Sequence, residues 1–409
     1  MSRRRCETGT LELGAGLEVL VSASLATLQA DEELDVILDA RSGALELPGW
    51  ARRAGHTVID ERRDRGAFVV TIRPSPPRGV GDQPPGLRPS LERGYSTAEL
   101  RRVAGPEPVA ADAASGLVPI GAVPEAAVAA YDWGLSTRDR IWTDKLASLT
   151  DRAARAQWSA ATDIPWEAAQ GLKPDVERAV AQVMTYIAQN EYAAYYVPAR
   201  HLAHVNPAYL EVLMWLASHV HDEARHVEVF TKRALVGGHR AHALTATELS
   251  LHTLLQERDF SNAALLLNVL GEGTFLDLLS FVAAHAPDAA TTTAARLAHR
   301  DERRHVQFGI AHIRHRLTAN PQDRHQLVAA VESRAAKLTS LDGLSSDVTE
   351  SLILMSARSH QPADIGDAGR AVRHLMTRMH RNRVRRLQAA GFDPRTARHL
   401  SELHTPNLM

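Results

Sequence analysis

Two nearly identical phrases, Asp-Glu-x-Arg-His-Val at 222–227 and 301–306, constrain this 409-residue chain more than any other feature in it. Each contains a Glu-x-x-His pair: Glu223 with His226, and Glu302 with His305. On a helix, residues three apart share one face, roughly 60° apart around the axis. A single pair of this kind is most simply a solvated surface pair, and Arg225, Arg303 and Arg304 stand ready as ion-pair partners. Two copies, each preceded one helix earlier by a lone Glu on an apolar stripe, form a different pattern. A buried carboxylate is costly unless something of opposite charge meets it.

The apolar periodicity places both phrases on long helices. The first helix is expected from Pro174 to Pro198, with proline at a helix start and a stripe of Met184, Ile187, Glu191 and Ala194. The second is expected to start at Asn206-Pro207 and to end near Gly237-Gly238, with the stripe Leu216, His219, Glu223, His226 and Phe230. The third opens on a capping-box pattern, Thr245-Ala246-Thr247-Glu248, and is read as running to Ala286. Its stripe is Leu265, Val269, Glu272, Phe275 and Leu279. The fourth covers 288–317, with Ala295, Ala298, Glu302, His305 and Gly309. Gly271 and Gly273 flank Glu272 and are poor helix formers, which marks a π-bulge or a close approach there.

The spacing closes the pattern. Glu191 and Glu223 are 32 residues apart, Glu272 and Glu302 are 30 apart, and 46 residues separate His226 from Glu272. These intervals fit two antiparallel hairpins joined by a longer crossover. One Glu, one Glu-x-x-His, one Glu and one Glu-x-x-His is the ligand set of di-metal carboxylate four-helix bundles. Four carboxylates offset most of the charge of two divalent ions and can bridge them, and each imidazole gives one metal a nitrogen. The expected metal ligands are therefore Glu191, Glu223, His226, Glu272, Glu302 and His305. His219, one turn before Glu223, and His299, three residues before Glu302, are candidates for a further ligand or for core histidines. Asp222 and Asp301, each beside a ligand Glu, are candidates for hydrogen bonds to the opposite ligand imidazoles. Tyr186, Tyr192, Tyr195 and Tyr196 crowd the first metal helix and are read chiefly as core or interface residues. The small residues Ala295, Ala298 and Gly309 leave either space for an organic substrate or room for close helix packing.

Composition narrows the function classes. The net charge of −1 gives no bulk attraction to nucleic acid or anionic membranes. No uninterrupted apolar run approaches 18 residues, so no transmembrane helix is expected. The basic start, Met1 to Arg5, lacks a continuous apolar segment after it, so no signal peptide is read. A single cysteine, Cys6, excludes an intrachain disulfide framework and fits a cytoplasmic setting.

The chain is expected to hold a small α/β domain at 1–75, a Pro/Gly-rich linker at 76–122 and a helical di-metal domain at 123–409. In the first, 25–28 belongs to a short helix and 34–38 to a strand. A second helix over 47–55 is stopped by Gly55, and strands at 57–59 and 67–72 are joined by the charged Asp60–Gly66 turn. This order of elements, with Leu-Pro-Gly-Trp-Ala-Arg-Arg-Ala-Gly-His at 47–56, resembles the TusA-like sulfur-carrier fold. That family's working cysteine follows a Gly-Leu pair, but here Gly16-Leu17-Glu18 is followed by Val19-Leu20. The resemblance therefore implies a docking or structural domain, not sulfur relay. Further helices are expected at 125–133 and 138–158, anchored by Trp142 and Trp158, and at 322–338, 347–359 and 365–390. The tail His404-Thr405-Pro406-Asn407 carries no ligand pattern.

From about residue 130 onward the chain resembles the ferritin-like superfamily, including di-iron oxygenases such as the p-aminobenzoate N-oxygenases. Those enzymes carry an additional His four residues before the Glu of the last motif, where this chain has Ala298. The resemblance implies a mainly α fold, a ferritin-like four-helix bundle with extra helices. It also implies two iron ions or a manganese–iron pair, with dioxygen as co-substrate. The expected activity is oxidation of a small organic substrate by N-oxygenation, hydroxylation, desaturation or oxidative cleavage. No Gly-x-Gly-x-x-Gly stretch supports an internal nicotinamide or flavin site, so electrons are expected from a ferredoxin or reductase. A homodimer is expected, with no nucleic-acid or membrane partner. The competing readings are a ferritin-type ferroxidase or metal carrier, and an adaptor with structural metals.

Overall fold

The computed structural model describes residues 3–29, 32–75, 89, 92, 94–105, 108–111, 116–122, 131–339 and 346–404. The chain divides into two units, Met1–Leu87 and Arg88–Met409.

The first unit runs β1 (Arg3–Glu7), α1 (Leu17–Leu25), β2 (Glu33–Leu38), α2 (Arg41–Arg53), β3 (Thr57–Asp64) and β4 (Ala67–Arg73). The sheet order is β1-β2-β4-β3, with β1 and β2 parallel and the other pairs antiparallel. Period-two alternation divides β2 between two faces. Leu34, Val36 and Leu38 join Leu17, Val21, Leu47 and Ala51 in the core. Glu33 and Asp35 point the other way, to Arg3, Arg73, Arg62 and Thr71. Strand β1 is not apparent from sequence, since Cys6 is its one buried residue. Cys6 is 6% exposed and sits beside the Ser24 hydroxyl. The turn expected over Asp60–Gly66 is only Arg65-Gly66. Strand β3 continues to Asp64, because an edge strand can keep its charges in solvent.

The second unit is helical. Its bundle consists of α5 (Pro174–Leu202), α6 (Leu210–Leu235), an α8–π–α9 element, and α10 (Ala289–Ala319). The composite element comprises α8 (Phe260–Ala264), a π-helical stretch over Leu265–Gly271, and α9 (Glu272–His285). Helix α5 packs along α6, and α9 along α10. The long connection between the hairpins contains α7 (Thr245–Gln256), which lies on α5. Two hairpins and one long crossover are the connectivity of ferritin-like bundles. Three more helices cover the bundle: α11 (Asp323–Leu338) packs on α7, α12 (Ser346–Ser356) on α5, and α13 (Pro362–Ala389) on α9. Helix α14 (Pro394–Leu403) closes on α13. Phe260–His285 is long and apolar enough to cross a membrane by composition, with mean hydropathy 1.5, yet 89% of its most apolar window is buried. It is the core element of the bundle.

Several boundaries differ from the sequence reading. Helix α5 continues through Pro198 to Leu202. Helix α6 starts at Leu210, not at Asn206, whose side chain instead accepts from the Ala208 N–H within a preceding turn. The single helix expected over 245–286 is broken after Gln256. There Arg200 of α5 donates to the Leu255 and Glu257 carbonyls, and Asp259 caps a new helix through the Asn262 N–H. The capping box at Thr245 does not form, because Leu244 is the N-cap. The helix expected over 138–158 shrinks to a 3₁₀ turn at Arg138–Arg140 and α4 (Leu146–Arg155). Side chains of α10 take carbonyls of this stretch: Arg316 donates to the Asp139 oxygen within the turn and His312 to the Trp142 oxygen after it. Trp142 and Trp158 are buried anchors, 6% and 7% exposed. Within the Pro/Gly-rich stretch, Thr97–Ala104 forms α3, capped by Ser96 and Glu99 and tied to α4 by the Thr97 hydroxyl on Asp151. Residues 125–130 of the helix expected at 125–133, and Thr405-Pro406-Asn407 of the tail, lie outside the described residues.

Candidate metal centre

The two hairpins place their acidic side chains at one level of the bundle. Helix α5 supplies Glu191, α6 supplies Glu223 and His226, α9 supplies Glu272 from its first residue, and α10 supplies Glu302 and His305. All six are at most 2% exposed. The π stretch ends immediately before Glu272. A π turn inserts a residue and so rotates the next helical segment about the axis, relative to a regular helix. Asn268, within that stretch, donates to Glu272 Oε2 at 2.7 Å and fixes its carboxylate.

Donor atoms gather into two groups sharing Glu223. Glu191, Glu223, His226 and Glu302 form one, and His219, Glu223, Glu272 and His305 the other, with the donor atoms of each within 4.8 Å of one another. Glu223 turns Oε2 toward His226 Nδ1 at 3.2 Å and Oε1 toward His305 Nδ1 at 2.8 Å. Glu302 does the same, with Oε1 at 3.4 Å from His226 Nδ1 and Oε2 at 3.3 Å from His305 Nδ1. The two motif glutamates thus lie between the groups, whereas Glu191 and Glu272 stand at opposite ends.

Asp222 and Asp301 lie behind the imidazoles, crossed between hairpins. Asp222 Oδ2 is 3.3 Å from His305 Nε2, and Asp301 Oδ2 is 3.5 Å from His226 Nε2. Both carboxylates are 0% exposed and share two buried guanidiniums. Arg304 donates to Asp222 at 2.7 Å and to Asp301 at 2.8 Å, while Arg225 reaches Asp301 at 3.1 Å and also Asp222. The Trp158 indole N–H adds a hydrogen bond to Asp301 at 2.6 Å. Of the arginines that a surface reading would pair with the motif carboxylates, Arg225 and Arg304 therefore serve Asp222 and Asp301, and Arg303 is exposed. The Trp158 contact carries no local sequence signal, since 143 residues separate the partners.

The electrostatics suit a cation between the groups. Burial, with Glu223 and Glu302 adding negative charge nearby, pushes the Glu191 carboxyl well above its ordinary range. Burial also raises Glu272, against the opposing pull of His219. Glu223 departs the other way: burial would raise it, but His226 and His305 hold it well below. Burial would lower both imidazoles, and Glu223 beside them holds them well above. Among the described residues, no Lys or Arg ion pair reaches Glu191, Glu223, Glu272 or Glu302. Glu191 Oε1, Glu223 Oε1, both Glu302 oxygens and His305 Nδ1 are buried without a hydrogen bond. Buried polar atoms are seldom left so. Oxygen and imidazole donors converging in this way fit a pair of divalent ions.

The two candidate histidines separate cleanly. His219 is 1% exposed and inside the second group, whereas His299 is half-buried and in neither group. The signal was angular. At about 100° per residue, four residues back lies on the same side of Glu223 as His226, about 20° from it. Three residues back lies about 120° away from the direction of His305. Tyr186 is buried against Phe275, while Tyr192 and Tyr196 are exposed and stacked on each other. Gly309 serves close packing, since a Cβ there would meet Asn268 Cβ at 2.6 Å. A small cavity of about 20 Å³, walled by Val197, Leu216, Phe260 and Leu267, ends on His219 and Asn268.

No model of a known protein family matches the chain, and no curated protein matches it. Solved structures do. Three are variants of an R2-like ligand-binding oxidase with a reconstituted Mn/Fe cofactor. Their identities are 17%, 16% and 16% and their TM-scores 0.45, 0.44 and 0.40. They span 61%, 61% and 64% of this chain and 94%, 94% and 92% of their own. What this chain's own residues build is a mainly α protein whose two hairpins and crossover, the connectivity of ferritin-like bundles, enclose four carboxylates and three imidazoles in two groups that could each hold a metal ion.

Proposed function

We propose that this protein is a non-haem di-iron or manganese–iron oxidoreductase that uses dioxygen to oxidise a small organic substrate. The observation that carries the reading is the pair of donor groups sharing Glu223, with Glu302 turned to both histidines of the motifs. Bound there, a redox-active metal pair supplies electron transfer to dioxygen, chemistry that no side chain of the chain can supply alone.

The protein's own contribution is positional. Glu191, Glu223, Glu272 and Glu302 bring their carboxyl groups together inside the bundle, while Asp222 and Asp301 keep His305 and His226 turned with Nδ1 inward. Asn268 holds Glu272. The cavity ending on His219 and Asn268 suits a diatomic or water-sized molecule better than a bulky one. The substrate is oxidised by N-oxygenation, hydroxylation, desaturation or cleavage. Electrons come from a separate ferredoxin or reductase, and the protein works as a homodimer in the cytoplasm.

The test is metal analysis of reconstituted protein together with oxygen uptake. Two metals per chain, and uptake that depends on an added organic amine or acid and is abolished by Glu223→Ala, are expected. Iron loading far beyond two per chain would mark a storage protein. Two metals with no oxygen consumption would mark a structural centre.

A further inference from the structure

We propose that His219 is a seventh protein ligand and that it makes the two metal positions chemically unequal. The inference rests on the di-metal reading above and concerns what distinguishes one position from the other.

The first position offers three carboxylates and one imidazole, from Glu191, Glu223, Glu302 and His226. The second offers two imidazoles, from His219 and His305, with Glu223 and Glu272, and Glu302 turns its other oxygen toward it as well. His219 reaches this position because it sits one turn before Glu223 on the same face of α6. Its Nε2 lies 3.0 Å from Glu272 Oε1 and 3.3 Å from Glu223 Oε1. Its ring stacks on His305 with centroids 3.8 Å apart and 28° between planes. The same Glu223 Oε1 is 2.8 Å from His305 Nδ1. One carboxylate oxygen is therefore flanked by two parallel imidazoles, and a third edge is supplied by Glu272. The second oxygen of Glu272 is already taken by Asn268, which leaves Oε1 turned toward the nitrogens.

A histidine that only steadied Glu272 would need no second carboxylate within reach and no stacked partner imidazole aimed at the same oxygen. The pseudo-symmetric place on α10 is occupied by Ala298, so the extra nitrogen belongs to one half of the site only. Nitrogen donors raise affinity for later divalent ions such as cobalt and zinc relative to all-oxygen surroundings. The His219 position is the tighter of the two for such ions.

Cobalt(II) titration of the full-length protein under anaerobic conditions tests this. Wild type takes up two ions per chain in two resolved steps. His219→Ala loses the tighter step, with affinity there lowered at least about tenfold, the scale on which even an outer partner of a ligand acts. Its visible cobalt bands also change. Adding imidazole to His219→Gly restores the wild-type bands, and His299→Ala titrates as wild type. Proton NMR of cobalt-loaded wild type provides a reading that requires no variant: three hyperfine-shifted exchangeable imidazole N–H signals are expected. Only two such signals, or a His219→Ala titration superimposable on wild type, would overturn the seventh ligand while leaving the di-metal reading intact. Wild type that binds no cobalt at all would overturn the di-metal reading itself.

Discussion

At the scale of single residues, two clusters of buried charge stand beside the candidate metal-binding groups themselves. One is the ring of Asp222, Asp301, Arg225 and Arg304 behind the imidazoles of His226 and His305. Because Asp301 faces His226 from the opposite hairpin, Asp301→Asn should weaken metal retention by about 10–100-fold. Competition against a chelator measures this, and unchanged retention would remove Asp301 from any role in orienting the ligand. The other surrounds Arg233, which is 0% exposed and binds Glu177 through both nitrogens, Asp288, and the Thr291 hydroxyl. Arg233→Met leaves two carboxylates buried without their partner. A loss of about 3–5 kcal/mol is expected in denaturant unfolding, as for other broken buried pairs. The motif residues were legible in the sequence because i to i+3 spacing is a local property. The Asp222–His305 and Asp301–His226 pairs were legible only as candidates, since a contact across 83 or 75 residues depends on how the hairpins face each other.

At the scale of elements, the α8–π–α9 element decides whether the site closes. Gly271 and Gly273 advertised a departure from regular helix, and the π stretch over Leu265–Gly271 is that departure. Its partner is Gly309 of α10, where a Cβ would come within 2.6 Å of Asn268 Cβ, 3.1 Å of Val269 Cγ2 and 3.4 Å of the Ala264 carbonyl. Gly309→Ala should therefore push α10 away from the π stretch. A destabilisation of about 1–3 kcal/mol is expected from the overpacking, together with weaker metal binding, because Asn268 holds Glu272. A variant as stable and as metal-rich as wild type would show that the contact is compliant. Helix ends were the least legible elements. The start expected at Asn206 moves to Leu210 because the Asn206 side chain closes a local turn on the Ala208 N–H, while α7 does begin at Thr245 but without its capping box, because Gln189 of α5 takes the Leu244 N–H and reaches Glu248. The break after Gln256 depends on Arg200, which lies more than fifty residues away.

At the scale of the whole molecule, every donor atom of the centre lies in the second unit, which has its own extensive core. Residues 88–409 alone should bind the same number of metals as the full chain, read by metal analysis after reconstitution. A drop would give the first unit a part in assembling the site. A second core cluster of this unit, around Trp142, Phe260 and Phe308, adds to the acid sensitivity of the fold. His312 is buried, donates to the Trp142 carbonyl and lies 2.9 Å from the Ser261 hydroxyl. Burial lowers it to about 4. Unfolded histidine titrates near 6.5, so the unfolded state takes up this proton first as pH falls. His312 therefore favours the fold fully above about pH 6.5, and that contribution drains away as pH drops toward 4. The urea midpoint should fall across that window, and His312→Gln should flatten the fall. Equal slopes for the two proteins would assign the acid sensitivity elsewhere.

The sequence by itself determined the mainly α class, the two hairpins and their crossover, and six of the seven groups that face the centre. All of these come from periodicity and spacing, which a helix converts directly into direction. Only the tertiary structure decided that His219 meets Glu272 of the other hairpin, that the aspartates cross to the opposite histidines, and that Gly309 closes against Asn268. Each is a contact between elements distant in the chain. Which partners meet is set by how whole helix faces pack, and no local run of residues encodes that.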